Sequence, residues 1–110
     1  MKLPDNTLIA AEKPALYLLV PKKHNDKSRW LGQAGYTLEN WQILENDLRL
    51  QILPLEATVI DTTQYGQMYE ICGNLLGPNG NTLVAVTIWM TEATTGVTKF
   101  ITMYPDKGRA

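Results

Sequence analysis

The chain has little of what most enzymes build their chemistry from. Its 110 residues hold one cysteine and one histidine. A lone Cys72 excludes an internal disulfide, and with His24 as the single imidazole it cannot complete an ordinary zinc site. Carboxylates do not fill the gap, because Asp61, Glu70 and Glu92 are scattered and no cluster suited to magnesium is evident. Charge is not in surplus either. The formal net charge is −1, so no global field draws the protein to nucleic acid or anionic lipid, and any such contact needs a local basic patch. No run approaches the roughly 18 apolar residues of a membrane span. The opening MKLPDNTLIAAEK lacks the apolar core of a secretory signal, so a cytoplasmic protein away from the membrane is expected. Two chemical signatures are missing as well. The stretch GPNGN has no following Lys-Ser/Thr and joins strands rather than opening a helix, so it is not a phosphate loop. No G-x-S-x-G elbow occurs. An enzyme of this composition works with neither metal nor cofactor. Cys72 lies in a strand-like run and reads as a buried structural thiol rather than a nucleophile.

What the sequence does have is a change of hydrophobic period at Pro54. Before it the apolar residues step by three and four. Residues 1–10 form an arm, with Thr7-Leu8-Ile9-Ala10 either a short strand or a packed segment. Residues 12–20, EKPALYLLV, read as a short helix with Pro14 in its first turn and Leu16, Leu19 and Val20 on one face, or as a strand over residues 17–20. Asn25 or Asp26 can cap a helix through Ala34 that buries Trp30, Leu31 and Ala34 and stops at Gly35. Thr37 caps the strongest helix, TLENWQILENDLRLQIL. Leu38, Trp41, Leu44, Leu48 and Ile52 make its apolar face, and Trp41 and Leu44 anchor it.

After Pro54 the period is two. Strands are expected near residues 56–62, 67–75, 82–91 and 97–104. The links at Gln64-Tyr65-Gly66, GPNGN and Thr94-Thr95-Gly96 are short, which makes successive strands antiparallel neighbours. Residues 83–90 carry no charge and read as an internal strand buried on both faces, with Val84, Val86 and Ile88 toward the helices. The expected fold class is α+β, with N-terminal helices packed on one face of a four-stranded antiparallel β-meander. It is organised as a single domain over residues 1–110, with an arm to 10, a helical part over 11–54, the meander over 55–105 and a tail over 106–110.

Candidate chemistry collects in two places. Lys22, Lys23, Lys27 and Arg29 place four of the ten basic residues within eight positions, around His24. A helix beginning at Asn25 points unpaired N–H groups to the same place, and imidazole is the side chain best suited to move a proton near neutral pH. The segment is either a phosphodiester site with a proton-transfer group or a solvated loop. In the last strand Thr98, Phe100, Thr102 and Tyr104 alternate and should share a face. Its hydroxyls and aromatics can orient a phosphate and stack a base, or they can simply line a half-exposed sheet. Tyr65, beside Gly66, is open to the same two readings.

The motifs GYTLENW, YGQMYEICGNLLGPNGNTLVAVTIW and GVTKFITMYP resemble a bacterial domain-of-unknown-function family that also occurs at the C-termini of toxin-like and phage-associated proteins. That family's pattern maps to the leucine-rich residues 16–20, His24 and Lys27, residues 35–41, Tyr65-Gly66, residues 77–80 and residues 102–105. One departure is the spacing of His24 and Lys27, which are separated by fewer residues than the pattern has. The order of elements is also similar to the barnase–EndoU–colicin–RelE group of small ribonucleases, a likeness at fold level alone. Two functions follow as expectations. One is a metal-independent ribonuclease-like or toxin-derived domain acting on RNA. In it His24 is the acid or base, Lys27, Arg29 and Lys23 neutralise phosphate, and Thr102, Tyr104 and Tyr65 position the substrate. The other is a non-catalytic or immunity-like module with a protein partner, which the net charge and the chain's own start Met favour.

Overall fold

The computed structural model describes residues 1–23 and 26–107, and for Leu16 the backbone only. His24, Asn25 and the end of the expected tail therefore lie outside the described residues, as does the expected packing of the Leu16 side chain. The fold is α+β: short helical elements cover one face of a four-stranded antiparallel sheet whose strand order follows the chain. Strand β1 is Thr58–Thr63, β2 Gly66–Leu76, β3 Thr82–Glu92 and β4 Thr98–Pro105. Each lies where the two-residue alternation places it, and each pair is antiparallel.

The helical part is less regular. The first element is a π-helical segment, Lys13–Leu18, with Pro14 in its opening turn. Helix α1 spans Ser28–Gly32. Asp26 sits just ahead of it, and its Oδ1 accepts from the Ser28 backbone N–H at 2.8 Å. Leu31 and Ala34 are fully buried, Trp30 packs partly against the core, and Gly35 turns the chain with φ +92°. The long expected helix is divided. A 3₁₀ turn at Leu38–Asn40 leads into α2, Trp41–Asp47, which continues as a π-helical segment, Leu48–Ile52. In the 3₁₀ turn the Thr37 N–H donates to Asn40 Oδ1 at 2.7 Å. Leu44, Leu48 and Ile52 are spaced by four, which in a 3.6-residue helix drifts steadily around the axis. A wider turn, in which the Leu53 N–H reaches back to the Leu48 carbonyl, counters the drift and lets Leu53 reach the core as well. Leu38, expected on the buried face, is exposed, because the 3₁₀ turn puts it out of phase with Leu44. Trp41 is only partly buried, packed against the margin of the core.

Strand β3 is internal, between β2 and β4. Its faces are the reverse of the expected ones. Leu83, Ala85, Thr87 and Trp89 point to the helices, whereas Val84, Val86 and Ile88 lie on the outer face. The deciding residue is Trp89, fully buried with its ring edge-on to Phe100 at 5.1 Å. Its indole N–H donates to Thr87 Oγ1 at 2.7 Å, and the Thr87 hydroxyl donates to the Ile71 carbonyl at 2.8 Å. The inward polar groups are thus paired, which removes the cost of burying them. Cys72 follows its partner Val86 onto the outer face, where it is half-buried rather than buried.

A second correction concerns β4. The pairing shifts between Ile88–Thr102 and Trp89–Phe100, leaving Ile101 as an extra residue. This bulge divides the Thr98-Phe100-Thr102-Tyr104 series. Phe100 and Met103 face the core, while Thr102 and Tyr104 stand opposite Ile88 and Val86 on the outer face. The N-terminal arm runs parallel to β4 at its free edge: the Leu8 N–H donates to the Thr98 carbonyl and the Phe100 N–H to the Leu8 carbonyl, both at 2.8 Å.

The GPNGN turn does more than join β2 to β3. The Asn79 and Asn81 side-chain amides donate to the Gln33 carbonyl, and the Asn79 N–H donates to the Ala34 carbonyl. The turn thereby satisfies carbonyls left open at the end of α1. The approach is so close that a Cβ on Gly77 would run into the Ala34 carbonyl and side chain, whereas one on Gly32 would meet nothing. Gly77→Ala is therefore expected to destabilise the fold by about 2 kcal/mol. Gly32→Ala, in a helical position, should be neutral or stabilising by up to ~1 kcal/mol. Denaturant unfolding of the two variants checks the contrast.

Candidate functional site

The polar cluster that stands out is centred on a residue the motifs did not mark. Leu18 and Leu19 are buried and pin the π-helical segment to the core, which leaves Tyr17 at the surface, 38% exposed. Lys13 lies four residues earlier on the same face, with its ammonium 5.4 Å from the Tyr17 ring centre. Lys22 comes over the ring at 3.7 Å and Lys27 at 5.8 Å. Three ammonium groups thus gather around one aromatic ring. Among the described residues, none of the three is ion-paired with a carboxylate.

The phenol end of Tyr17 meets β4. Thr102 Oγ1 is buried and completes no well-aligned hydrogen bond among the described residues. Its hydroxyl lies beside the Tyr17 oxygen as a donor to the deprotonated form, and this is the largest influence holding the phenol below the usual tyrosine range. Lys27 is next, then, against a small opposing effect of burial, Lys22 and Lys13. Asp26 takes no part, since its carboxylate is held by the Ser28 hydroxyl and backbone, with the Lys22 backbone as a further donor, and these keep it ionised to lower pH than usual.

The expected site residues are placed unevenly around this cluster. Lys27 and Thr102 are brought together, with Tyr17 between them. Tyr104 shares the outer face with Thr102 and is partly exposed. Lys23 and Arg29 are exposed on the basic segment and the first turn of α1. Tyr65 is not brought in: it is 70% exposed at the β1–β2 turn, and β3 separates it from β4. His24 lies outside the described residues. Sequence reasoning missed Tyr17 and Lys13 because Tyr17 falls in the apolar run YLLV. The available signal was the four-residue spacing of lysine and tyrosine.

A shallow groove of about 470 Å³ along α2, lined by Gln42, Ile43, Glu45, Asn46 and Arg49, shares no residue with the cluster. Its Arg49 already donates to the Asp5 and Thr7 carbonyls. Among the described residues no group of His, Cys, Asp and Glu is arranged to hold a metal, and no helix is long and apolar enough to cross a membrane.

Two tyrosines should titrate on opposite sides of the ordinary value. Tyr36 is buried and donates to Asp47 Oδ2 at 2.7 Å, and burial followed by that carboxylate pushes its phenol far above the usual range. For Tyr17 the folded value is depressed, so the unfolded chain holds the proton longer. Stability attributable to this group is then gained as pH rises toward and through the ordinary value of about 10. For Tyr36 the sign is reversed, and its contribution falls above that value. In alkaline absorbance titrations Tyr17→Phe should remove an early phenol and Tyr36→Phe a late one. Lys27→Gln should shift the early one upward.

No curated protein matches the chain. Among solved structures, the fold is similar to a chain of a contact-dependent growth inhibition toxin–immunity protein complex from Klebsiella pneumoniae 342. The TM-score is 0.63 at 19% identity, covering 91% of this chain and 100% of that one. At that identity the likeness is one of fold. Residues 2–107 match the family described as a domain of unknown function, DUF6883, and the chain belongs to that family.

Proposed function

We propose that the protein is a small ribonuclease-like, toxin-derived domain that cuts RNA without metal, at the junction of the basic segment and β4. The observation that carries this reading is the meeting of Lys27 with Thr102 around Tyr17, with Lys13 and Lys22 completing a cationic face. When a 2′-hydroxyl attacks the adjacent phosphorus, negative charge builds on the non-bridging oxygens, and positioned cations stabilise it. Lys27, with Arg29 and Lys23, takes that role. His24, in the same segment, transfers a proton. Thr102 orients the phosphate, and Tyr104, on the same sheet face, stacks a base. Tyr65 has no part in this arrangement. The fold-level likeness to a chain from a toxin–immunity complex supports a toxin-derived origin.

A different observation favours the second reading, an immunity-like or other interaction module whose partner is a protein. On the sheet's outer face Val84 and Tyr104 are exposed beside half-buried Met68, Cys72 and Met90, and that complex contains proteins of both kinds.

Incubating the purified protein with single-stranded RNA in a chelator separates the two. Cleavage is expected, with Lys27→Ala about 10²- to 10³-fold slower and its thermal unfolding unchanged. RNA left intact both with and without added divalent metal would leave the interaction module standing.

A further inference from the structure

The ribonuclease reading assigns charge neutralisation and one proton transfer, but cutting an RNA strand needs two. We infer that Tyr17 is the general acid of this site, giving its phenol proton to the 5′-oxygen that leaves when the backbone is cut. The inference rests on the reading above and deepens it.

The geometry carries the assignment. Among the described residues the cluster meets at Tyr17: Lys13, Lys22 and Lys27 lie around its ring, and Thr102 of β4 lies at its hydroxyl. Three like charges held around one neutral ring repel one another. Loss of the phenol proton places a negative charge among them and relieves that repulsion. The Thr102 hydroxyl, buried and without a settled acceptor, gains one in the phenolate. All these neighbours favour the form of Tyr17 that exists after it has given a proton away, as an acid requires. The lysines suit this role less, because their charge is what the phosphate and the phenolate both need.

Among the described residues the charged groups acting on Tyr17 are Lys13 from its own segment and Lys22 and Lys27 from the next. From β4 the facing group is Thr102, which does not titrate, and neither Glu45 nor Asp47 of the neighbouring α2 is among the influences.

The step balances. The 2′-oxygen forms a bond to phosphorus and its proton passes to His24, to which the reading above gives one proton transfer; with Tyr17 as the acid, that transfer is the base's. The bond from phosphorus to the 5′-oxygen breaks, and that oxygen takes the Tyr17 proton. The products are a 2′,3′-cyclic phosphate and a free 5′-hydroxyl. No oxidant, metal or co-reactant enters.

A leaving group that needs no proton tests the role directly. Wild type and Tyr17→Phe are compared on a ribonucleotide dimer and on the same dimer with sulfur at the 5′-bridging position. Phenylalanine keeps the ring that the lysines pack over, so thermal unfolding should be unchanged. On the oxygen substrate Tyr17→Phe is expected to be about 10²- to 10⁴-fold slower, and on the sulfur substrate within about tenfold of wild type. An equal loss on both substrates, or no loss on either, overturns the acid assignment while leaving the ribonuclease reading in place. A wild type that cuts neither dimer nor longer RNA removes that reading itself, and Tyr17's role with it.

Discussion

The arrangement depends most on where the indole of Trp89 goes. A fully buried ring of that size in the central strand fixes which face of β3 is inside. Because side chains alternate, it also fixes the faces of Leu83, Ala85 and Thr87 and, through pairing, of Ile71 and Phe100. The indole N–H must find an acceptor in that interior, and Thr87 supplies it while passing its own hydrogen to the Ile71 carbonyl. A one-residue slip would carry Val86 and Ile88 inward and turn the indole outward. It would also strand the Thr87 hydroxyl. The register of the whole meander is tied to this short polar chain inside an apolar layer.

That dependence also explains what could be read from the residues alone. The strands lie where alternation and turn chemistry place them, because Gly-Pro-Asn-Gly and Tyr-Gly carry their conformations locally. The facing of β3 could not be read in this way. With Val84, Val86 and Ile88 on one side and Leu83, Ala85 and Trp89 on the other, both sides are apolar, and Thr87 looks like an outward residue until its partners are known. The bulge at Ile101 has no glycine to announce it and arises from how β4 meets β3. The π-helical turns arise in the same way, from the need to keep Leu48, Ile52 and Leu53 on one core.

The site divides along the same line. The basic segment and the hydroxyls of β4 were both visible as compositions, but they lie at opposite ends of the chain, and no spacing rule links them. Their junction is Tyr17, which local pattern assigns to an apolar run. It is turned outward because Leu18 and Leu19, which follow it directly, take the core positions. Tyr65 shows the converse: its turn is conspicuous in sequence, yet β3 stands between it and β4. The bulge that frustrated the reading of β4 is what presents Thr102 on the outer face. Without Ile101 as an extra residue, the pairing opposite Ile88 would change, and with it the neighbour of the Tyr17 phenol.

The parallel bridge of Leu8 to β4 has a consequence for how the chain is made. Leu8 is held by Thr98 and Phe100, so the arm leaves the ribosome well before the strand that holds it. Local elements such as the β2–β3 hairpin can form as they emerge, but the arm must wait until β4 has been made. Leu3, Thr7 and Ile9, all buried in the finished fold, remain in water until then. Closure of the arm over the edge of β4 thus follows the synthesis of that strand, and a nascent chain stalled before β4 would carry the arm without a place to bind.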